Sequence, residues 1–469
     1  MKTVSDDYIL HIGDIIRNES HVRIIIVDGE DTYTFEGDQI LSVSQTDNVD
    51  PLSRKLPVET VKFEISDLDG LYNPYSPSGV WEMLDLDSEV TIETGYTVNG
   101  VIEWLEPDIY LLDGKPTSEN GVASFTASRR LAHLTETYYK GRIEFLPYIT
   151  FDYEARRILT DAGLTSDEYE LDEVLDSKVS LAAPPIATHA ECLQLIAHAC
   201  GCTLYTKPDG KIAIKAFAIP TVSNGFSLTR QSIKRKNETT SKTPPLKAVS
   251  TKRYRYNYIL TSETIAEFVI TTSGDYHVEY DLTYNPSIST DTGTLSNVEM
   301  YGRAADFTLT TAGTAVVTIS GNKVYINNET LTENVSIIGE TDAEDNEMIA
   351  GDFAFLRTLY ADYLSRRLTH TISYRGNPEL QCGDCIYYET AFGGLALALV
   401  LSTHIDYSGG ITGELILKNL SEIAATELYD SDVVLVKDKN DEQVTLTDSN
   451  YHISDFTIDD MNNFIEEVL

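Results

Sequence analysis

Cysteine is scarce in this chain of 469 residues: only Cys192, Cys200, Cys202, Cys382 and Cys385. An odd, sparse set is no disulfide framework. Basic residues are also few, 35 Lys and Arg against 74 Asp and Glu, for a net charge of -39. Such a charge opposes non-specific binding to nucleic acid or to an anionic membrane. It also keeps an assembly component soluble, and a plain solubility preference accounts for it equally well. No apolar stretch approaches the ~20 residues that a membrane span needs. The start of the chain, with Lys2 followed by Asp6 and Asp7 and no long apolar run, is no secretory signal. Synthesis as a soluble protein in a cytoplasm is expected. GxSxG, HExxH, a Walker loop and a GxGxxG in context are all missing, and the 9 His are scattered. No catalytic residue, cofactor site or metal site is assigned.

What is present is β-structure. Hydrophobic residues make up 42 %, enough for real cores. Val22 to Val27 is a β-branched run. Val61, Phe63 and Ile65 alternate along one face, as do Val90, Ile92 and Thr94, and Ala123, Phe125 and Ala127. Turn pairs separate them: Asp28-Gly29, Glu36-Gly37, Asp69-Gly70, Asn99-Gly100 and Asp113-Gly114. Short strands with closely spaced turns predict a sandwich or barrel. Tyr (28) outnumbers Phe (14), which favours surfaces that are half buried and half wet. Trp81 and Trp104 stand in strand-like contexts.

Helical periodicity interrupts this pattern. Ala155, Ile158, Leu159 and Ala162 form one face of a helix stopped by Gly163. Thr188 and Glu191 make a capping box for a second helix, whose apolar face is Cys192, Leu193, Ile196, Ala197 and Cys200 and whose stop is Gly201. A hairpin through Pro208-Asp209-Gly210 follows. Thr314 to Ile319, Ser320-Gly321-Asn322 and Val324 to Ile326 read as another hairpin. A third helix is expected from Asp352, as its cap, to Leu368, with Arg366 and Arg367 in its last turn. The fold class is mainly β with a smaller α+β domain. The expected divisions are 1–135, the first part of a first β-barrel; 140–220, an inserted α/β domain; 221–350, a β-rich region completing the first barrel or linking; 351–425, a second β-barrel with helix 352–368; and 426–469, an acidic appendage.

Candidate sites are few. Cys382-Gly383-Asp384-Cys385 is a CxxC without a partner pair, so a turn followed by a small core residue is the better reading. His198, Cys200 and Cys202 could offer three zinc ligands, but Cys200 falls on the buried helix face while His198 points elsewhere. Asp67-x-Asp69-Gly70 lacks the distant Glu of a calcium loop, since position 78 is Ser78. The strongest anomaly is basic: Arg230, Lys234, Arg235, Lys236, Lys242, Lys247, Lys252, Arg253 and Arg255 run together with only Glu238 opposing. Either this is a solvated loop through the Ser/Thr/Pro-rich stretch 237–245, or Arg230, Lys234, Arg235, Lys236 and Arg253 contact acidic surfaces of neighbouring copies. Near the end, Val433 to Val436 and Val444 to Leu446 suggest a hairpin. Ile458, Met461, Ile465 and Leu469, with Phe464 and Val468 alongside, give an amphipathic helix that needs a surface to dock on.

Three segments together resemble a known family. Leu56-Pro57, Phe63-Glu64-Ile65, Asp69-Gly70 and Tyr72-Asn73-Pro74 look like the opening domain of phage and prophage tail proteins. The helix 188–200 running into Gly201-Cys202-Thr203-Leu204-Tyr205 and Pro208-Asp209-Gly210-Lys211-Ile212 is similar to a recurrent segment of the same proteins. So is helix 352–368 followed by Tyr374-Arg375-Gly376-Asn377-Pro378, Leu380 and Gly383-Asp384. The segments stand in the family's order over most of residues 20–420. The resemblance implies a tail-tip or baseplate hub: two barrels similar to the tail-tube protein in each protomer, so that a trimer has pseudo-sixfold symmetry beneath the tube. It implies a virion location and, as partners, the tail tube or distal tail protein, the tape measure protein and tip or fibre proteins. Specific nucleic-acid binding is not expected. Longer relatives carry a peptidoglycan-cleaving domain, whereas here a short acidic tail follows, so the chain is read as non-enzymatic. The segment 458–469 would attach the next component of the tip or dock on its own barrel. A tail-associated peptidoglycan hydrolase and a carbohydrate-binding receptor module are the competing readings.

Overall fold

In the computed structural model, residues 2–5, 8, 19–29, 31–76, 79–81, 84, 88–144, 146, 149–180, 182–230, 232–234, 238–351, 353–390, 394–421, 435–437 and 443–445 are described. The chain opens with β1 (Ser20–Asp28), β2 (Asp31–Glu36), β3 (Ile40–Asn48), β4 (Val58–Ser66), β5 (Glu89–Val98), β6 (Val101–Trp104), β7 (Asp108–Leu112), β8 (Thr117–Glu119) and β9 (Val122–Ser128). The alternation seen in the sequence sets their faces. Val61, Phe63 and Ile65 on β4 and Ala123, Phe125 and Ala127 on β9 all point into one core with Ile24, Ile26, Val90, Ile92, Tyr110 and Leu112. Strands β5 and β6 turn at Asn99 (φ 50°) and Gly100 (φ 82°), the left-handed pair that a two-residue hairpin needs.

A second β body has its own core of Leu228, Ile372, Tyr374, Ile386, Tyr388, Ala398, Val400, Leu415 and Leu417. The two bodies share one sheet. Its strand path runs Thr239–Lys242, Leu368–Tyr374, Ile411–Asn419, Leu395–Tyr407, β3, β4, β9, β7, β5, β1, β2. Strand Leu395–Tyr407 makes the connection. Its first half gives Ala398 and Val400 to the second core, and its second half pairs with β3 from Ser402↔Asn48 to Tyr407↔Val43. A bulge between Val400 and Ser402 leaves Leu401 outside the ladder to Ile411–Asn419; its carbonyl accepts instead from Val49 N at 3.0 Å.

Between the bodies in sequence lies the α/β unit. Helix Phe151–Asp161 is capped by Thr150, and helix His189–Cys200 by the Thr188–Glu191 capping box, with Gly201 (φ 67°) closing it. Ile196 is buried in one cluster with Ile158 and Leu159. Strands Cys202–Thr206 and Ile212–Ala216 form the expected hairpin, and Tyr169–Leu171 adds a parallel strand. Helix Ala354–Ser365 sends Leu356, Tyr360 and Tyr363 into this same central core.

Several expectations need correction. The proposed hairpin at Ser320-Gly321-Asn322 does not turn: Ala315–Asn334 is one strand of 20 residues. Gly321 serves close approach instead, since a Cβ there would collide with Thr283 Cγ2 and lie 3.1 Å from Tyr284 O. The third helix begins at Ala354 after Phe353, whose side chain makes no cap, and it ends at Ser365 because Leu368–Tyr374 is drawn into the sheet. The stretch 237–245 is not all loop, because Thr239–Lys242 forms an edge strand. Trp81 lies in a turn, not a strand, and donates from Nε1 to Pro116 O at 3.0 Å. Residues 246–344 pair among themselves and add no strand to the first body. Within them, Ile270, Phe307, Leu309, Val317 and Ile319 form a separate small core. Among the described residues near the end, Leu435–Lys437 pairs with Gln443–Thr445.

Candidate functional site

The sequence-selected residues do not converge. Arg230 sits beside the second body, where its Nη1 donates to Glu238 Oε2 at 2.6 Å and its backbone N to Glu389 Oε2 at 2.7 Å. Lys234 is exposed, and its backbone N donates to Ser373 O. Arg253 lies in a different sheet, opposite Glu329 on the neighbouring strand, and the two form an ion pair. Lys252 pairs with Asp345. Folding thus supplies counter-charges that the sequence order hides. Arg235, Lys236, Ile458, Met461, Phe464, Ile465, Val468 and Leu469 lie outside the described residues. Of the CxxC, Cys385 is 1 % exposed in a strand, and the Cys382 thiol donates to Asp47 O at 3.3 Å. His198 is buried: Asn346 Nδ2 donates to its Nδ1 at 2.9 Å, and its ring stacks on Tyr360 at 5.4 Å. Asp67 closes the 67–72 turn by accepting from Leu71 N at 2.7 Å.

The structure gathers a different constellation. The register of β3, β4 and β9 sets Asp47 opposite Glu59, and Arg129 N donates to Glu59 O just past the Thr60↔Ser128 pair. Asp47, Glu59 and Arg129 are therefore a polar row at one end of the first core. The Arg129 guanidinium, 4 % exposed, donates to Asp108 Oδ1 at 2.9 Å, Asp47 Oδ2 at 3.3 Å and Lys207 O at 3.2 Å, and lies 4.7 Å over the Tyr110 ring. Lys2 Nζ donates to Asp108 Oδ2 at 2.7 Å and to Glu106 O at 2.8 Å. Glu59 accepts from Thr206 N of the α/β hairpin at 3.1 Å. Cys382 and Thr403 close the cluster from the second body.

Burial drives the electrostatics. It pushes Glu59 up to about 7, against the pull of Arg129. Asp47 is likewise raised by burial, with Arg129 opposing. Burial also acts on Asp108, but Lys2 and Arg129 outweigh it and hold that carboxyl below its ordinary range. Such a network is held by mutual pairing, and any member left alone is costly. The cavity between them is about 70 Å³, far below the ~300–1,000 Å³ of a pocket for a drug-sized ligand. Its chemistry is that of a joint: it ties the N-terminal arm, the first body, the α/β hairpin and the second body to one point.

A second polar joint lies nearby. Arg54, on the loop after β3, pairs with Asp342 at 3.1 Å and with Glu344 at 2.5 Å. Glu344 is pushed up to about 7 by burial, and its Oε2 lies 3.7 Å from His198 Nε2.

No family model and no curated protein matches the sequence. Matches are found among solved structures. The chain is similar to a 43 kDa tail protein of a Shewanella oneidensis prophage, at 12 % identity over 84 % of this chain and 98 % of that one, with a TM-score of 0.47. It is similar to a tail protein from Neisseria meningitidis, at 10 % identity over 88 % and 99 % of the two chains, with a TM-score of 0.46. It is also similar to an Escherichia coli component of the type VI secretion system described as structurally similar to T4 bacteriophage tail proteins, at 9 % identity over 85 % and 80 %, with a TM-score of 0.38.

Proposed function

We propose that this protein is a structural hub of a phage tail tip, one protomer of a ring beneath the tail tube. The observation that carries the reading is strand Leu395–Tyr407, which fuses two β bodies into one sheet. Joined rigidly, the two bodies of a protomer can act as two adjacent units of a ring, so three copies present six. A closed ring also buries the strand edges that each copy leaves at β2 and Thr239–Lys242. The proposed stoichiometry is a trimer, formed on the tail or in solution. Its neighbours are the tail tube or distal tail protein, the tape measure protein and tip or fibre proteins.

The role is non-enzymatic: the buried carboxylates are engaged in the joints, and the chain is proposed to work by holding geometry. Segment 458–469 attaches the next component of the tip. Native mass spectrometry and negative-stain images of isolated tails test the ring. Three copies are expected; one copy or six at this position overturns the reading. A peptidoglycan zymogram is expected to be blank, and a cleared band would favour the hydrolase. Deleting residues 430–469 is expected to leave a folded, ring-forming protein on tails that lack the distal piece, and complete tails would refute the attachment role.

A further inference from the structure

The sheet that joins the two bodies ends on two edges, β2 (Asp31–Glu36) and Thr239–Lys242, each paired with one neighbouring strand among the described residues. The edges carry opposite charge. Asp28, Asp31, Glu36 and Asp38 lie on or beside β2, and no Lys or Arg occurs between Ile24 and Ser53. At the other edge all four residues are exposed, and the strand carries Lys242. Arg367 follows it closely, since its carbonyl accepts from Thr243 N at 3.0 Å. Among the described residues, Asp31, Lys242 and Arg367 have no ion-pair partner. Glu238, just before the strand, is already engaged by Arg230.

Sidedness agrees as well. Within one copy the junction of the two bodies is antiparallel and keeps both cores on one side of the sheet. Leu415 of the second core lies opposite Thr403. Tyr407, on the same face of that strand as Thr403, lies opposite Val43 of the first core. The two edges can repeat that arrangement. Thr240 and Lys242 stand opposite His370 and Leu368, and His370 is opposite Leu417 of the second core, so both lie on the core side. On β2, Phe35 is in the first core and Tyr33 packs against it, so Asp31 is on the core side there. An antiparallel junction between copies that keeps these sides sets Asp31 against Lys242, Thr32 against Ser241, Tyr33 against Thr240 and Thr34 against Thr239. These are an opposite-charge pair, an aromatic–β-branched pair and two hydroxyl pairs, all favourable cross-strand neighbours. Two β2 edges would instead set carboxylates against each other, and a two-fold contact would leave the other edge of each copy open. Unlike edges, each used once, join copies head to tail and can close a ring.

We propose that β2 of one copy pairs antiparallel with Thr239–Lys242 of the next in this register, so that one sheet continues from copy to copy. The inference rests on the hub reading and names the contact that closes the ring.

Disulfide trapping in isolated tails tests this, with the full chain carrying Thr32→Cys/Ser241→Cys. Oxidation is expected to join the copies into a covalent trimer on non-reducing gels, and neither single variant should link. Opposite residues in an antiparallel pair alternate between close and wide spacing, so Tyr33→Cys/Thr240→Cys samples the other kind, and at least one of the two should link. Rings of three copies with no link in either variant overturn this pairing and leave the hub reading standing. Unsubstituted tails without a ring overturn both. A dimer from Thr32→Cys alone means that like edges meet, and also overturns the pairing. Charge exchange covers the case in which a cysteine disturbs folding. Asp31→Lys is expected to lower the ring-to-monomer ratio in native mass spectrometry by about fivefold or more, and Asp31→Lys/Lys242→Asp to restore it. A double variant no better than the single one overturns the proposal.

Discussion

The Arg129 guanidinium donates to Asp108 Oδ1 at 2.9 Å, and both side chains are buried where the first body meets the α/β hairpin and the second body. Arg129 also serves Asp47, so its loss would leave the buried Asp108 and the part-buried Asp47 short of a cation. Arg129→Met is expected to cost about 3–5 kcal/mol of stability, read from urea unfolding. Lys2→Met should cost less, because Arg129 still faces Asp108. Adding Asp108→Asn to Arg129→Met should recover part of the loss, since the two share one network. Strictly additive losses would show that the joint is not a coupled unit.

Gly321 and Thr283 offer a sharper steric test. Gly321→Ala puts a methyl group against Thr283 Cγ2 inside the strand pair, and Thr283 is fully buried. A loss of about 1–3 kcal/mol is expected, the usual range for overpacking. Hydrogen exchange should rise across residues 263–320 and much less elsewhere. Thr283→Ser removes the colliding methyl and should recover part, not all, of the loss, because Tyr284 O stays at 3.1 Å. Full stability of Gly321→Ala would mean that the strand runs less close to its neighbour.

His198 makes stability depend on pH. Burial lowers its pKa from 6.5 to about 4, so the folded protein keeps the ring neutral while the unfolded chain protonates it near 6.5. Between these values the unfolded chain binds more protons, and stability falls as the pH drops from 6.5 to 4. The full contribution is about 3 kcal/mol, from the roughly 1.4 kcal/mol per pH unit of such a shift. Glu344, raised to about 7, acts with the opposite sign: it contributes stability below its ordinary pKa that is lost as the pH rises towards 7. NMR titration of the His198 ring should place its midpoint well below 6, and His198→Gln should flatten the acid limb of the stability profile. A midpoint near 6.5 would contradict the burial.

Arg230 and Lys234 separate folding from assembly. Arg230 is 17 % exposed at its side chain and tied to Glu238, so Arg230→Glu should destabilise the second body by more than 1 kcal/mol. Lys234 is exposed, and Lys234→Glu should change stability by less than about 0.5 kcal/mol. If neighbouring copies meet through basic charge, Lys234→Glu lowers the ring-to-monomer ratio in native mass spectrometry. An unchanged ratio removes Lys234 from the interface.

Local signals in the sequence determined a good part of this protein. The period-two runs of β4 and β9 fixed which side chains face the core, because a strand has no other way to bury one face. The Thr188–Glu191 box, the stop at Gly201 and the Asn99-Gly100 turn were equally legible, because each acts within a few residues of itself. The polar joint was half visible. Glu59 continues the inward parity of Val61, Phe63 and Ile65, and Arg129 that of Ala123, Phe125 and Ala127, so two charges were marked for burial at adjacent strand ends. Their partners, Asp47, Asp108 and Lys2, could not be read, since they arrive through pairings across tens of residues. Gly321 misled for the same reason: Ser-Gly-Asn is a turn by composition, and only the approach of Thr283 and Tyr284 makes it a strand. The basic run from Arg230 to Arg255 likewise lost its unity when strand pairing placed Glu329 opposite Arg253. Local chemistry sets faces, caps and turns. Register between distant strands, which decides what each buried charge meets and that the two bodies share one sheet through Leu395–Tyr407, is a property of the whole packed core.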